Sequence, residues 1–247
     1  MSDSPLVNYT KISPHKTPNR NHKIDTITIH CYVGQVSVES MGGWFSNPGA
    51  KCSCNYGIGT DGRIALIVDE KDRSWCSSSS SNDNRAITIE CASEKTAPFE
   101  INDKVYKSLI KLCADICKRN GIKELKWKAD KSLIGQVDKQ NMTVHRWFKN
   151  KDCPGEYIYS RLGKIADEVN ELLGIEHKPE GDFKVKVSIT DLNIRTGPGT
   201  NYSTTGKKTG VGVFTITEVK SGKGSTAGWG KLKSGVGWIS LDYAKRI

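Results

Sequence analysis

Residues 85–92, RAITIECA, and residues 25–30, DTITIH, are the two apolar stretches that decide how this chain folds. β-Branched residues recur with the two-residue period of buried or half-buried strands in both stretches. Two more strands are predicted at NYGIGT, 55–60, and RIALIV, 63–68, and the Asp-Gly pair between them is a strong hairpin signal. These four stretches predict one β-sheet.

Helical periodicity flanks the predicted strands. A long helix is predicted over 102–120, and Gly121 is placed to end it as a left-handed cap. A second long helix is predicted over 156–173, and a shorter one follows Ser37, a residue that caps helices well. Strands that alternate with helices predict an α/β fold with a central mixed β-sheet flanked by helices.

The pattern changes after residue 174. The segment IEHKPEGDF at 175–183 is polar and has no period, so it is predicted to be a linker. From residue 184 to residue 247, short strands alternate with glycine-rich turns, which predicts a small all-β barrel. We therefore expect an α/β domain at 1–174 and a β domain at 184–247.

The chain of 247 residues is basic, with 37 Lys and Arg against 27 Asp and Glu and a formal net charge of +10. The excess is concentrated near the C-terminus, where twelve Lys and Arg face five Asp and Glu from Lys178 onwards. Such a segment attracts polyanions. Its lysines are interleaved with Gly, Ser and Thr, so a phosphate-rich cell wall fits them as well as nucleic acid.

Neither a membrane span nor a secretory signal is predicted, because no run of eighteen apolar residues occurs and the N-terminus has no apolar stretch. We expect a protein made in the cytoplasm. All eight cysteines lie between Cys31 and Cys153. A chain of this length does not need a disulfide framework, so burial, a metal site or a nucleophile is favoured for them.

Five residues have the chemistry of a hydrolytic metal site. His30 at the end of a strand, His145, and Cys153 eight positions later offer two imidazoles and a thiolate, which leave a fourth tetrahedral zinc position for water. Glu90 ends the apolar strand AITIE, where a carboxylate is costly to bury unless it has a task such as accepting a proton. Lys151 shares a face with Cys153 in an extended stretch.

Two further features are polar. Tyr56 opens the strand before the Asp-Gly turn and would line the same cleft. The run of serines at 77–81 predicts a surface loop. Each candidate also has a plain structural explanation: Glu90, for example, would serve equally as an ion-pair partner of Arg85 or Lys95. Only the whole set of candidates favours catalysis.

The candidate residues lie in segments that resemble the zinc-dependent N-acetylmuramoyl-L-alanine amidases shared by phage endolysins and peptidoglycan recognition proteins. The matching segments are TITIH, CNYGIGTDG, ITIECA and HRWFKNKDCPG, in the family's order. The resemblance covers roughly residues 24–174. It implies hydrolysis of the amide bond between N-acetylmuramic acid and L-alanine, with Zn²⁺ held by His30, His145 and Cys153, catalytic roles for Glu90 and Lys151, and substrate binding by Tyr56.

The C-terminal segment resembles bacterial SH3 domains in LNIRTGPGTNY at 192–202, with support from GWGKL and GWISLDY. This second resemblance implies binding to the bacterial cell wall. We expect no nucleic-acid partner. Together the two resemblances imply an amidase catalytic domain at 1–174, a linker at 175–183 and an SH3-type cell-wall-binding domain at 184–247. Such a protein is an endolysin or autolysin, made in the bacterial cytoplasm without a signal peptide, that acts on peptidoglycan.

Other function classes stay open. A Cys-His wall endopeptidase would use Cys31 or Cys91 as nucleophile and His145 as base. A non-catalytic wall-recognition protein would keep the amidase fold after losing a zinc ligand, whereas this chain retains all three candidate ligands. DNA binding through the positive charge is a weaker alternative, which a salt-dependent mobility shift would test.

Overall fold

The computed structural model places the two decisive stretches side by side, as parallel strands in the middle of one sheet. The structure describes residues 2–175, 182–220 and 222–247. The chain divides into two units, Met1–Ile175 and Glu176–Ile247. Residues 176–181, which make up most of the predicted linker, lie outside the described residues.

The N-terminal unit alternates strands and helices along the chain, as the sequence predicts. Its elements are β1 (Tyr9–Thr10), β2 (Lys16–Thr17), β3 (Thr26–Val33), α1 (Val38–Ser46), β4 (Tyr56–Ile58), β5 (Ile64–Leu66), β6 (Arg73–Ser74), α2 (Ser80–Arg85), β7 (Ala86–Ser93), α3 (Asp103–Asn120), β8 (Met142–Thr143), α4 (Gly155–Tyr159) and α5 (Leu162–Leu172), with 3₁₀ turns at Lys131–Leu133 and His145–Trp147.

Six of these strands form a mixed sheet in the order β1-β5-β4-β7-β3-β8. The β4–β5 pair is the predicted antiparallel hairpin, whereas β7 lies parallel to both β3 and β4. Helices cover both faces: a side chain at Gly57 would meet Met41 of α1, while Cys91, on the opposite face, lies near Cys113 of α3. The predicted α/β fold is therefore confirmed.

Helix boundaries follow local capping chemistry. The Asn102 side chain accepts hydrogen bonds from the first turn of α3, and Gly121 ends this helix in the left-handed conformation with φ of 70°. The helix predicted over 156–173 is instead divided into α4 and α5. The Ser160 hydroxyl donates to the Glu156 carbonyl oxygen at 2.8 Å, a side-chain bond that competes with continued helical pairing.

The core of the N-terminal unit lies on both faces of the central strands. Ile27, Ile29, Ile87 and Ile89 are fully buried, together with Leu109 of α3. Strands covered on both sides need apolar residues along their whole length, which explains why β3 and β7 are so rich in isoleucine. The charged and imidazole side chains within these strands are thus exceptions to the pattern.

The C-terminal unit is a separate all-antiparallel sheet, as predicted for a small β domain. Val185, Val187, Ile216 and Ile239 centre its own core. No helix among the described residues of the chain is long and apolar enough to cross a membrane. The strands of the C-terminal unit are β9 (Phe183–Val187), β10 (Asn193–Arg195), β11 (Thr204–Lys208), β12 (Gly212–Lys220), β13 (Trp229–Leu232), β14 (Trp238–Ser240) and β15 (Ala244–Arg246), with a 3₁₀ turn at Leu241–Tyr243.

Candidate functional site

The register of β3 against β7 sets the first two side chains of the site. His30 is the direct partner of Glu90 across these parallel strands, so both side chains leave the same face of the sheet. His30 Nδ1 lies 4.0 Å from Glu90 Oε1. The His30 side chain is fully buried and that of Glu90 is 15% exposed, so both sit at the floor of a site rather than on the surface.

His145 and Cys153 come to this point from the segment after β8, the strand that pairs with the other edge of β3. His145 opens a 3₁₀ turn, and the Arg146 N–H donates to the Cys153 carbonyl oxygen at 3.1 Å, which folds the chain back on itself. Cys153 Sγ then lies 3.3 Å from His30 Nδ1. The centres of the two histidine rings are 5.1 Å apart.

The three predicted metal ligands therefore converge. One ligand atom from each of His30, His145 and Cys153 lies within 4.8 Å of the other two. Ligand atoms around a tetrahedral zinc ion are roughly 3.5 Å apart, given the usual Zn–N and Zn–S bond lengths. His30 also has its Nε2 buried without a hydrogen-bond partner among the described residues. Two imidazoles, one thiol and a buried histidine nitrogen without a hydrogen-bond partner fit a zinc ion.

The histidines are held in the form that binds metal. Burial lowers the pKa of His30 well below its usual value, and nearby His145 and Lys151 lower it further. Burial, with Lys151, lowers the pKa of His145 to about 4. Both imidazoles are therefore neutral at neutral pH, as ligation requires. In the metal-free protein, the contact with the Cys31 thiol and burial raise the pKa of Cys153.

Glu90 has the electrostatics of a proton acceptor. Burial raises its pKa to about 7, although a hydrogen bond from Cys76 and the charge of Lys151 both act to lower it. A carboxyl group whose pKa lies near neutrality can accept a proton from water and return it within one reaction cycle. Perturbed carboxyl groups in a cleft are typical of catalytic sites, although structural networks also produce them.

A pocket opens beside these residues, and His145 and Lys151 contribute to its wall. Trp75, Cys76 and Ser78 also line it, and the sequence analysis identified none of these three as functional. Trp75 is 39% exposed, which leaves an aromatic surface available to a ligand. In the sequence, these residues are distinguished only by their position in the segment between the strands predicted at 63–68 and 85–92.

The serine run at 77–81 is more ordered than a surface loop. Ser77 is fully buried and the Ser79 side chain caps α2. The Ser78 hydroxyl lies 3.0 Å from His145 Nε2, so this serine contacts a candidate ligand directly. The helix start could have been predicted from the cap-forming serines that precede Asn82 and Asp83.

Tyr56 is a correction to the sequence analysis. It pairs with Ile89 rather than with Glu90, and successive side chains alternate, so Tyr56 leaves the opposite face of the sheet. There it is fully buried, and its hydroxyl donates to Glu70 Oε1 at 2.6 Å. The Ser4 N–H donates to the same hydroxyl at 2.9 Å. Tyr56 therefore does not line the pocket.

The cysteines proposed as nucleophiles of an endopeptidase are poorly placed. Cys91 is fully buried and Cys31 is 7% exposed. Burial, aided by the charge of Glu90, raises the pKa of the Cys91 thiol. Reactive cysteines need a low pKa and access to substrate. The geometry therefore favours metal-assisted hydrolysis over a thiol nucleophile.

Several solved structures are similar to this chain. No curated protein matches the chain. Among solved structures, a mutant endolysin from Bacillus subtilis is 16% identical, with 66% of this chain and 99% of that chain covered and a TM-score of 0.48. The N-acetylmuramoyl-L-alanine amidase LysC from Clostridium intestinale is 19% identical, with 66% and 95% covered and a TM-score of 0.42.

A family model supplies the assignment. The model described as N-acetylmuramoyl-L-alanine amidase matches residues 20–156, more than half of the chain. The matched range contains the paired strands β3 and β7 and the candidate residues His30, Glu90, His145, Lys151 and Cys153. The chain therefore belongs to the N-acetylmuramoyl-L-alanine amidase family.

Proposed function

We propose that the protein is a zinc-dependent amidase that cleaves the bond between N-acetylmuramic acid and L-alanine in bacterial peptidoglycan, as a cell-wall-lytic endolysin or autolysin. One observation carries this proposal: His30, His145 and Cys153 converge beside Glu90 at a pocket that Lys151 also lines. Family membership indicates which bond is cleaved, and these residues provide the chemical groups that its hydrolysis needs.

The protein side of the mechanism follows from the positions of the residues. His30, His145 and Cys153 would hold the zinc ion, which when bound supplies Lewis acidity at an open coordination position. Glu90, poised near neutrality, takes a proton from the attacking water and delivers it to the leaving amine of L-alanine. Lys151 stabilises the negative charge that develops on the carbonyl oxygen.

The C-terminal unit is proposed to be an SH3-type domain that holds the enzyme on the cell wall. Its sequence motifs support this role, and so does its basic surface. Linking a wall-binding unit to a hydrolase raises the local concentration of substrate without any new contact at the catalytic site. In this arrangement residues 1–174 are catalytic, 175–183 connect the units and 184–247 bind the wall.

Product analysis tests the proposed bond. Purified peptidoglycan is digested with the protein, and the soluble fragments are analysed by mass spectrometry. We expect new L-alanine amino termini and unsubstituted lactyl groups on the glycan. Cuts inside the stem peptide would instead support an endopeptidase, and wall binding without any new amino groups would support a recognition protein.

Metal dependence is tested on the same substrate. Treatment with a chelator should abolish lysis, and added Zn²⁺ should restore it. Elemental analysis of the purified protein should find about one zinc ion per chain, and Cys153→Ser should lower activity. Full activity in a protein without stoichiometric metal would overturn the zinc mechanism.

A further inference from the structure

A second set of potential metal ligands lies next to the first. His30, Cys76 and Glu90 each offer a ligand atom, and these atoms lie within 4.8 Å of one another. Cys76 Sγ is 3.7 Å from Glu90 Oε1, which is 4.0 Å from His30 Nδ1. These separations are close to the roughly 3.5 Å between the ligands of a tetrahedral zinc ion. We propose that this trio is an alternative site for a divalent cation that accepts thiolate ligands, such as Zn²⁺ or Co²⁺.

An unmet polar atom supports a cation beside Glu90. Glu90 Oε2 is buried without a hydrogen-bond partner among the described residues. A buried carboxylate oxygen left without a partner carries a desolvation penalty, and it needs an explanation in a native fold. A cation bound by Glu90 would compensate the buried negative charge directly.

Cys76 is held in place to serve as a ligand. Its backbone N–H donates to Asp83 Oδ2 at 2.9 Å, and the neighbouring Ser77 N–H donates to the same carboxylate at 3.1 Å. Asp83 is itself 3% exposed, so this support is rigid. Cys76 is half-buried and packs against the apolar core, and its thiol also faces the carboxylate of Glu90.

Sharing His30 makes the two sets alternatives, so one ion occupies one set at a time. Binding at the second set requires Cys76 to release its proton to solvent. It also uses Glu90 as a ligand, which then cannot accept a proton from water. This inference rests on the proposed roles of His30 and Glu90. It predicts that the protein with an ion in the second set is inactive.

Cobalt binding by the full chain tests the alternative site. Metal-free wild type, Cys153→Ala, Cys76→Ala and the double variant are titrated with Co²⁺ alone, and the thiolate-to-cobalt charge-transfer absorption is recorded. Cys113→Ala, which removes a buried thiol of α3 outside both ligand sets, is the matched control. Circular dichroism of each metal-free variant verifies folding.

We expect Cys153→Ala to bind about one Co²⁺ with the thiolate absorption retained, because Cys76 then provides the sulfur. The double variant should lose that absorption and bind Co²⁺ at least about 100-fold more weakly than Cys153→Ala. Loss of a residue that only supports a metal ligand typically weakens metal binding by about 10–100-fold, and loss of a ligand should cost at least as much. Adding Glu90→Gln to Cys153→Ala should also weaken binding.

The outcomes separate this inference from the proposed function. If wild type and Cys76→Ala bind Co²⁺ with thiolate absorption but Cys153→Ala shows none, the alternative site is wrong and the proposed zinc site stands. If wild type binds no Co²⁺, both fail. If the double variant matches Cys153→Ala, Cys76 is not a ligand.

Discussion

Glu90 connects the chemistry of the pocket to the stability of the fold. Its carboxyl group is buried in a core strand, and this burial raises its pKa to about 7 from the usual 4.5. A raised pKa means that the folded state favours the protonated form. The ionised carboxylate that the proposed mechanism uses at neutral pH therefore lowers the stability of the fold.

This cost predicts a pH-dependent difference between wild type and Glu90→Gln in the chelator-treated protein. Below pH 4.5 the carboxyl group is protonated in both folded and unfolded chains, so it contributes no pH dependence. Between pH 4.5 and about 7 the unfolded chain ionises first, and wild type loses about 3 kcal/mol relative to the variant by pH 8. Urea unfolding at pH 4 and pH 8 measures the change.

The matched control is Glu94→Gln, which changes an exposed carboxylate just beyond the same strand. Its stability difference from wild type should stay nearly constant over this range. A constant difference for Glu90→Gln as well would show that its carboxyl group is not perturbed. At pH 7 with zinc present, Glu90→Gln should also lower kcat by about 10²–10⁴-fold while zinc content is unchanged.

A second prediction at the scale of single residues concerns Lys151. Removing one donor that stabilises an oxyanion typically lowers kcat by about 10²–10³-fold, so Lys151→Met should have an effect of this size on peptidoglycan hydrolysis. Lys149→Met changes an exposed lysine two positions earlier and should leave kcat unchanged. Equal activity of the two variants would contradict the role of Lys151. Zinc content measured in both excludes indirect loss of the metal.

Sequence reasoning reached His30 and Glu90 because strand alternation makes a polar side chain in an apolar strand conspicuous. It identified Cys153 from its ligand chemistry and its position eight residues after His145, and Lys151 from the face that it shares with Cys153; the family resemblance then implied their roles. It did not reach Cys76 or Ser78, because loop residues show no period and their placement depends on tertiary contacts such as the hydrogen bonds to Asp83. Tyr56 was misassigned because the sequence does not give the register of β4 against β7. In that register Tyr56 pairs with Ile89, so alternation puts Tyr56 and Glu90 on opposite faces.

At the level of elements, the candidate site and a buried polar cluster lie on opposite faces of the sheet. The face of β4 and β7 opposite the pocket carries a buried polar cluster in which Arg119 of α3 binds Glu70 at 2.6 Å and Glu70 accepts from Tyr56. Burial and the charge of Glu70 raise the pKa of Tyr56, so this hydroxyl remains protonated. The cluster ties α3 to the loop after β5 and is structural.

Tyr56→Phe therefore tests the assignment of faces. Removing the hydroxyl leaves the Ser4 N–H and one Glu70 oxygen without this partner, which should lower the free energy of unfolding by about 1–3 kcal/mol. The kcat and KM for peptidoglycan should be unchanged, because Tyr56 lies away from the pocket. An increase in KM without loss of stability would return Tyr56 to substrate binding.

At the scale of the whole molecule, the proposed function assigns catalysis to the N-terminal unit and attachment to the C-terminal unit. The C-terminal unit carries an unusual pair of like charges: Lys186 of β9 lies directly across from Lys245 of β15, and both are exposed. Facing like charges destabilise a sheet. By contrast, Lys220 and Lys231 on the same unit share an ion pair with Glu218, at 2.6 and 3.5 Å. Binding of an anionic partner would therefore reduce the repulsion between Lys186 and Lys245.

We predict that this pair contributes to wall binding through phosphate-rich wall polymers. In sedimentation with purified walls, the full chain carrying Lys186→Gln and Lys245→Gln should bind more weakly than wild type, and the difference should shrink as salt rises because exposed charges are screened. The control carrying Lys220→Gln and Lys231→Gln removes the same number of charges from ion-paired positions and should lose less. Walls from which the phosphate polymers have been removed should bind all three proteins alike. If the two double variants lose equal affinity, overall charge rather than this strand pair determines attachment, because each variant has lost the same two positive charges.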